Sequence, residues 1–185
     1  MKLEMTAVQK LAKVLKILVM VTVVCNLIAL LLVPGLVLMG GAEDLMIVLN
    51  EPSAFAPYFA YCWRWVWMDG GYSAVLTVFL WACGICTAVI LWQARRVLDT
   101  ILAGETFSMA NAANMKRAGV CCLVISVAAL ARVIWGFFFY KSIAPLLTYN
   151  ALFVPVFAMG FLLCMVMSAL FRQAAELKEE NDLTI

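Results

Sequence analysis

Apolar residues run almost without a break through four stretches, Val14 to Met39, Tyr72 to Trp92, Ala118 to Tyr140 and Leu147 to Phe171. A helix rising ~1.5 Å per residue needs about 20 such residues to cross ~30 Å of hydrocarbon, and each stretch is long enough. The pattern predicts an all-α, polytopic membrane protein. Residues 1–185 form a single membrane domain, a four-transmembrane-helix bundle with spans at about 14–39, 72–92, 118–140 and 147–171. Pro34 and Pro155 sit inside the first and fourth spans and predict kinks. A spanning helix tolerates such a break when a neighbour satisfies the carbonyl that the proline frees.

The polar segments carry patterns of their own. After Trp92 the apolar stripe Val97, Leu98, Ile101, Leu102 continues the second helix out of the membrane, with Arg95, Arg96 and Asp99 on its other face. Gly104 is a natural stop and Ser108 a natural N-cap for the third helix, so 93–117 is expected to be a helical hairpin. In the tail, 172–185, the stripe Leu170, Ala174, Leu177 and the helix-spaced pairs Arg172–Glu176 and Lys178–Asp182 extend the fourth helix to about Asn181. The loop 40–71 is acidic at Glu43, Asp44, Glu51 and Asp69. It is aromatic at Phe55, Tyr58, Phe59, Tyr61, Trp63, Trp65 and Trp67. Tryptophan and tyrosine favour the headgroup layer, so this loop is expected to lie on the membrane face as a short helix or extended turn.

Charge orients the spans. Lys2, Lys10, Lys13 and Lys16 precede the first; Arg95, Arg96, Lys116 and Arg117 lie in 93–117; Arg172 and Lys178 follow the fourth. The opposite side holds Arg64 and Lys141. Ten cations against two predict that both termini and the loop 93–117 are cytoplasmic. The first apolar stretch is too long for a signal-peptide core, and Gly40-Gly41-Ala42 is a weak cleavage site, so the stretch reads as a retained anchor.

Composition agrees and narrows the chemistry. Hydrophobic residues make up 66% of the chain and charged ones 13%, against about half and about a quarter in soluble domains. A net charge of +2 does not suggest direct binding of nucleic acid. There is no histidine, the commonest general base and metal ligand. No span pairs two titratable groups as acid–base or nucleophilic chemistry requires, so neither an enzyme nor a cofactor or metal is expected. Six of the seven cysteines fall in apolar runs, which is not a disulfide framework. Cys83-Gly-Ile-Cys86 has redox spacing, but an apolar run without a nearby base keeps thiols protonated. Cys121, Cys122 and Cys164 read as small packing residues.

Arg132 is the single charge deep inside a span, Lys16 lying at the very start of the first, and is the candidate intramembrane polar site. A cation there costs roughly 2.5–3.5 kcal/mol or more, so it needs partners. Asp69 and Glu51 are candidates, and an arginine that snorkels to the surface is the plainer reading. Asn26 and Asn150 could join helices by hydrogen bonds, and Gly84, Gly136 and Gly160 could let helices approach closely.

Two segments carry a resemblance. Leu102-Ala-Gly-Glu-Thr-Phe-Ser108, followed by Asn111, Lys116, Arg117 and Gly119, is one. The terminal Phe171-Arg-Gln-Ala-Ala-Glu-Leu-Lys-Glu-Glu-Asn-Asp-Leu-Thr-Ile185 is the other. Together they resemble the bacterial family called domain of unknown function 2975, small four-helix membrane proteins. Ala174 stands where that family has glycine. The resemblance implies a bacterial cytoplasmic membrane location but no biochemical activity. Its genes often lie beside one for a small helix-turn-helix regulator of the Cro/repressor type, which implies such a partner by association. The candidate cytoplasmic partner surface is then Arg95, Arg96, Ser108, Asn111, Lys116, Arg117, Arg172, Glu176, Glu179, Glu180, Asn181 and Asp182. The expected role is non-enzymatic: a regulatory or binding protein that restrains or signals to the regulator, with the lipid bilayer as its other partner. A homo-oligomer is compatible with the same surface. The alternatives are a small transporter or its accessory subunit, and an immunity or envelope-stress protein.

Overall fold

The computed structural model describes residues 7–38, 46, 50–51, 53, 55–68 and 71–182. Lys2, Glu43, Asp44, Asp69 and the terminal Leu183, Thr184 and Ile185 lie outside the described residues. Among those described, the chain is all helical, with no strand. Five α-helices follow in order: α1 Ala7–Leu38, α2 Phe55–Met68, α3 Tyr72–Leu102, α4 Met109–Tyr140 and α5 Tyr149–Asp182, with a 3-10 turn Ala144–Leu147 before α5. Four of them are long and apolar enough to cross a membrane, which marks a multi-pass membrane protein. The extensions read from the sequence are present: α3 runs ten residues past Trp92, and α5 reaches Asp182. α1 begins at Ala7, earlier than the first span, because Lys10, Lys13 and Lys16 belong to the same helix.

Among the described residues the four long helices stand in an open row. α1 packs on α2 and α3, α3 on α4, and α4 on α5, with no substantial contact between α1 and α5. The four long helices expected from the sequence are thus present, and this open row is how they pack among the described residues. In lipid, the outer faces of a row are already in an apolar medium, so no hydrophobic drive closes the ring.

Each seam has a local cause. Pro34 removes the N–H that would bond to the Leu30 carbonyl four residues earlier. The Trp81 indole N–H of α3 donates to that carbonyl at 3.0 Å. Beside it, a side chain on Gly84 would meet Leu30 at 2.5 Å, so the glycine sets the α1–α3 distance. At the other end of this seam Lys16 pairs with Asp99 at 2.5 Å. α2 packs against the Trp81 end: Phe59 fills the space beside Gly35, and Trp63 and Trp67 stand 6.2 and 5.8 Å from Trp81.

The α4–α5 seam is built from small residues. Gly119 faces Cys164, whose Cβ lies 3.0 Å from where a Gly119 side chain would begin, and Gly160 faces Cys122. Ser126 donates to the Val154 carbonyl at 2.9 Å, and Ser168 to the Ala112 carbonyl at 2.7 Å. Gly160, Cys164, Ser168, Phe171 and Ala175 thus form the inward stripe of α5. The stripe expected in the tail, Leu170, Ala174 and Leu177, is displaced from it: Leu177 is 66% exposed while Ala175 is buried. Small residues win the seam because close helix approach, not apolar bulk, is what packing in lipid rewards.

Candidate functional site

Arg132 lies on α4 eight residues before Tyr140, ~12 Å of helical rise from the end of the helix. α5 brings Asn150 to it, and Arg132 Nη1 donates to Asn150 Oδ1 at 2.7 Å. α3 brings Tyr72, whose hydroxyl accepts from Nη2 at a long 3.5 Å. The guanidinium carbon stands 4.8 Å over the Phe79 ring, a cation–π contact. Asn150 therefore does join helices, as its position suggests. Asn26 does not: its Oδ1 is buried without a hydrogen bond among the described residues. Glu51 makes no ion pair with Arg132 among the described residues, and Asp69 lies outside them. The partners that hold the charge are two neutral oxygens and a ring.

Next to Arg132 is a cavity of about 200 Å³ lined by Tyr72, Leu76, Trp135, Tyr140, Pro145, Thr148 and Asn150, among others. Its wall is aromatic. Trp135 and Phe139 stack at 5.0 Å, and Tyr72 lies 5.8–6.2 Å from Trp135, Phe139 and Tyr140. The cover is the turn between α4 and α5. Lys141 takes a left-handed conformation (φ 48°) that ends α4 and sends the chain back over the site. Gly136 makes room for it, since a side chain there would sit 3.1 Å from Pro145. Tyr72, Trp135, Tyr140 and Thr148 escaped the sequence reading. The signal available was the clustering of Trp135, Phe139 and Tyr140 at i, i+4, i+5, which also describes any interfacial belt.

The opposite end of α3–α5 carries the other candidates. Ser108 caps α4, its Oγ accepting the Asn111 backbone N–H at 3.3 Å. Asn111 is fully buried (0% exposed). Its Oδ1 accepts from Thr100 at 2.9 Å, and its Nδ2 donates to the Thr106 carbonyl at 2.8 Å. These bonds tie the end of α3, the turn at Gly104 (φ 84°) and the start of α4 into one unit. Asn111 is thus removed from the partner surface, because a buried, fully bonded side chain meets no partner.

Arg96, Lys116 and Arg117 are exposed. Arg96 and Arg117 border a groove that also includes Asp99, Thr100 and Asn114. Arg95 is half-buried, 5.3 Å over the Trp92 ring and 3.9 Å from Asp99. On the tail, Arg172 pairs with Glu176 at 2.8 Å, and Glu179, Glu180 and Asn181 are exposed. The side chain of Asp182 lies outside the described residues. The tail is held to the hairpin by packing, Phe171 standing 6.2 Å from Phe107. No ion pair of the described residues joins it to Arg95, Arg96, Lys116 or Arg117.

Among the described residues no disulfide joins the cysteines. No group of histidine, cysteine, aspartate or glutamate among the described residues is arranged to hold a metal.

Compared with known proteins, the chain matches a family model described as a protein of unknown function, DUF2975, over residues 56–185. The match begins inside α2 and takes in the hairpin lock, the Arg132 site and the tail. No curated protein and no solved structure matches the chain.

Proposed function

The chain belongs to the DUF2975 family, and from that premise we propose that it is a non-enzymatic regulatory membrane protein. It senses a ligand at Arg132 and presents the outcome to a small helix-turn-helix regulator at its cytoplasmic face. It sits in the bacterial cytoplasmic membrane with both termini inside, the orientation that the distribution of lysine and arginine favours. One observation carries this reading. The same three helices supply both ends: α3 has Tyr72 at one end and Arg95, Arg96 at the other. α4 has Arg132 and, at its other end, Lys116 and Arg117. α5 has Asn150 and the acidic tail. A change in how Arg132 is held shifts helices whose far ends form the partner surface. That surface is Arg96, Lys116, Arg117, Arg172, Glu176, Glu179 and Glu180, with Arg95 at its edge. Its mixed charge suits a basic DNA-binding protein that meets the acidic tail.

The test is a crosslinking pull-down of the tagged protein from native membranes, beside a variant lacking residues 178–185. A DNA-binding protein that is captured by the full chain and lost with the tail is the expected result. Capture of envelope or transport proteins alone, with transcription unchanged by the deletion, would refute the regulatory role.

A further inference from the structure

The Arg132 cavity is continued by a second hollow that the proposed sensing role leaves without an occupant. A groove of about 300 Å³ runs between α3 and α4, lined by Val78, Phe79, Ala82, Ala128 and Ala131. It shares Val75, Arg132 and Trp135 with the first cavity, so the two meet at the guanidinium. From Trp135 to Ala128 the groove follows α4 for seven residues, ~10 Å of helical rise. The two halves differ in chemistry. The first has a cation, an amide, three hydroxyls and an aromatic rim. The second has alkyl and phenyl groups, and alanines at 82, 128 and 131 where larger residues would close it.

The guanidinium at the junction is incompletely used. Of its five N–H donors, one bonds Asn150 well and one reaches Tyr72 at the limit of a hydrogen bond. Its positive charge meets no carboxylate among the described residues. Guanidinium binds planar or tetrahedral oxyanions through paired N–H groups, and such bonds strengthen away from water. A free small anion would leave the groove to bulk lipid. A neutral lipid would leave the charge unmatched. An occupant that satisfies both halves has one anionic head and one chain.

We propose that the site binds a single-chain amphiphile with an anionic head, a carboxylate or a phosphate monoester, the head against Arg132 and the chain between α3 and α4. Asn150 and Tyr72 hold the guanidinium in place for it. Ala82 and Ala128 admit the chain. The rim of Trp135 and Tyr140 marks the boundary at which head gives way to water. The proposal deepens the reading of Arg132 as the input of a sensor, and rests on it only for its biological meaning.

Binding is measured on the full chain in vesicles of neutral phosphatidylcholine, without any cytoplasmic partner, so its failure leaves the pull-down of a regulator unaffected. The probes are a long-chain fatty acid carrying a photoreactive diazirine, its methyl ester, and a lysophosphatidic acid with the same chain. The acid is expected to label the peptides around Val75–Ala82 and Ala128–Trp135 roughly tenfold more than the ester, the scale of one charge-assisted bond. Arg132→Gln should abolish the difference and Arg132→Lys should retain part of it. Ala128→Phe should lower labelling by every charged probe. Preference for the lysophosphatidic acid over the fatty acid assigns the head as phosphate, and the reverse assigns it as carboxylate. Equal labelling by acid and ester in the unaltered protein overturns the proposal without reliance on any variant. Unchanged acid labelling in Arg132→Gln overturns it too.

Discussion

The two ends of α4 are built on opposite plans. At Asn111 every polar atom of the side chain has a protein partner, no exposed surface remains, and a glycine turn and a serine cap complete the lock. At Arg132 a charged side chain is half-buried, its partners are neutral, and two hollows open beside it. Buried polar groups that are fully paired make a structure rigid and unique. A buried charge with spare donors is costly to hold and has something to gain from a ligand. The comparison teaches that the residues most characteristic of the inner loop serve folding, while the functional candidate lies at the end where the polar network is unfinished.

The comparison breaks most readily at the locked end. Asn111→Ala leaves the Thr106 carbonyl without its donor and removes the link from the Thr100 hydroxyl, which keeps the Val97 carbonyl as acceptor, to the start of α4. A loss of about 1–3 kcal/mol is expected, read as a lower Tm in detergent followed by tryptophan fluorescence. An unchanged Tm would mean that the hairpin is held by packing alone. Gly119→Val should cost about 1–3 kcal/mol, because its new carbons collide with Cys164 across the α4–α5 seam. Crosslinking between cysteine pairs placed on α4 and α5 would report the separation, and undiminished crosslinking would contradict the seam.

A smaller effect belongs to Ser108→Ala, which removes the cap of α4 and should cost about 1 kcal/mol, with Ser108→Thr close to the original. Equal losses for both substitutions would argue against capping. Smallest of all is Arg132→Leu. It removes a charge that the fold must desolvate, so stability should stay within about 0.5 kcal/mol of the original or rise, even as binding of an anionic amphiphile is lost. A fall as large as that of Asn111→Ala would erase the contrast and make Arg132 a second structural lock.

Off this axis, the α1–α3 seam has its own test. Trp81→Phe should destabilise by about 1 kcal/mol, since the Leu30 carbonyl freed by Pro34 loses its donor. In a Pro34→Ala background the helix supplies that bond itself, so the cost of Trp81→Phe should shrink. Purely additive losses would show that the indole acts through its rings against Trp63 and Trp67.

Much of this molecule was legible in one dimension. Long apolar stretches demand helices in lipid, because every backbone N–H and C=O must be satisfied within the segment. For the same reason the extensions past Trp92 and Phe171, the stop at Gly104 and the cap at Ser108 could be placed from local rules alone. Arg132 stood out because a charge in an apolar run is conspicuous. Its partners did not, since Tyr72, Asn150 and Phe79 are far from it in the chain and ordinary in type.

What only the tertiary structure decided is who meets whom across the helices. Apolar runs say that a face is wanted, but in a membrane every face is already in an apolar solvent, so hydrophobicity does not choose the seam. Small residues and register choose it. That is why Ala175 rather than Leu177 packs, why the helices form an open row, and why Asn111 is inside. The sequence alone determined how many times the chain can cross the membrane and where its helices stop. The tertiary contacts determined which polar side chain is spent on folding and which keeps donors to spare.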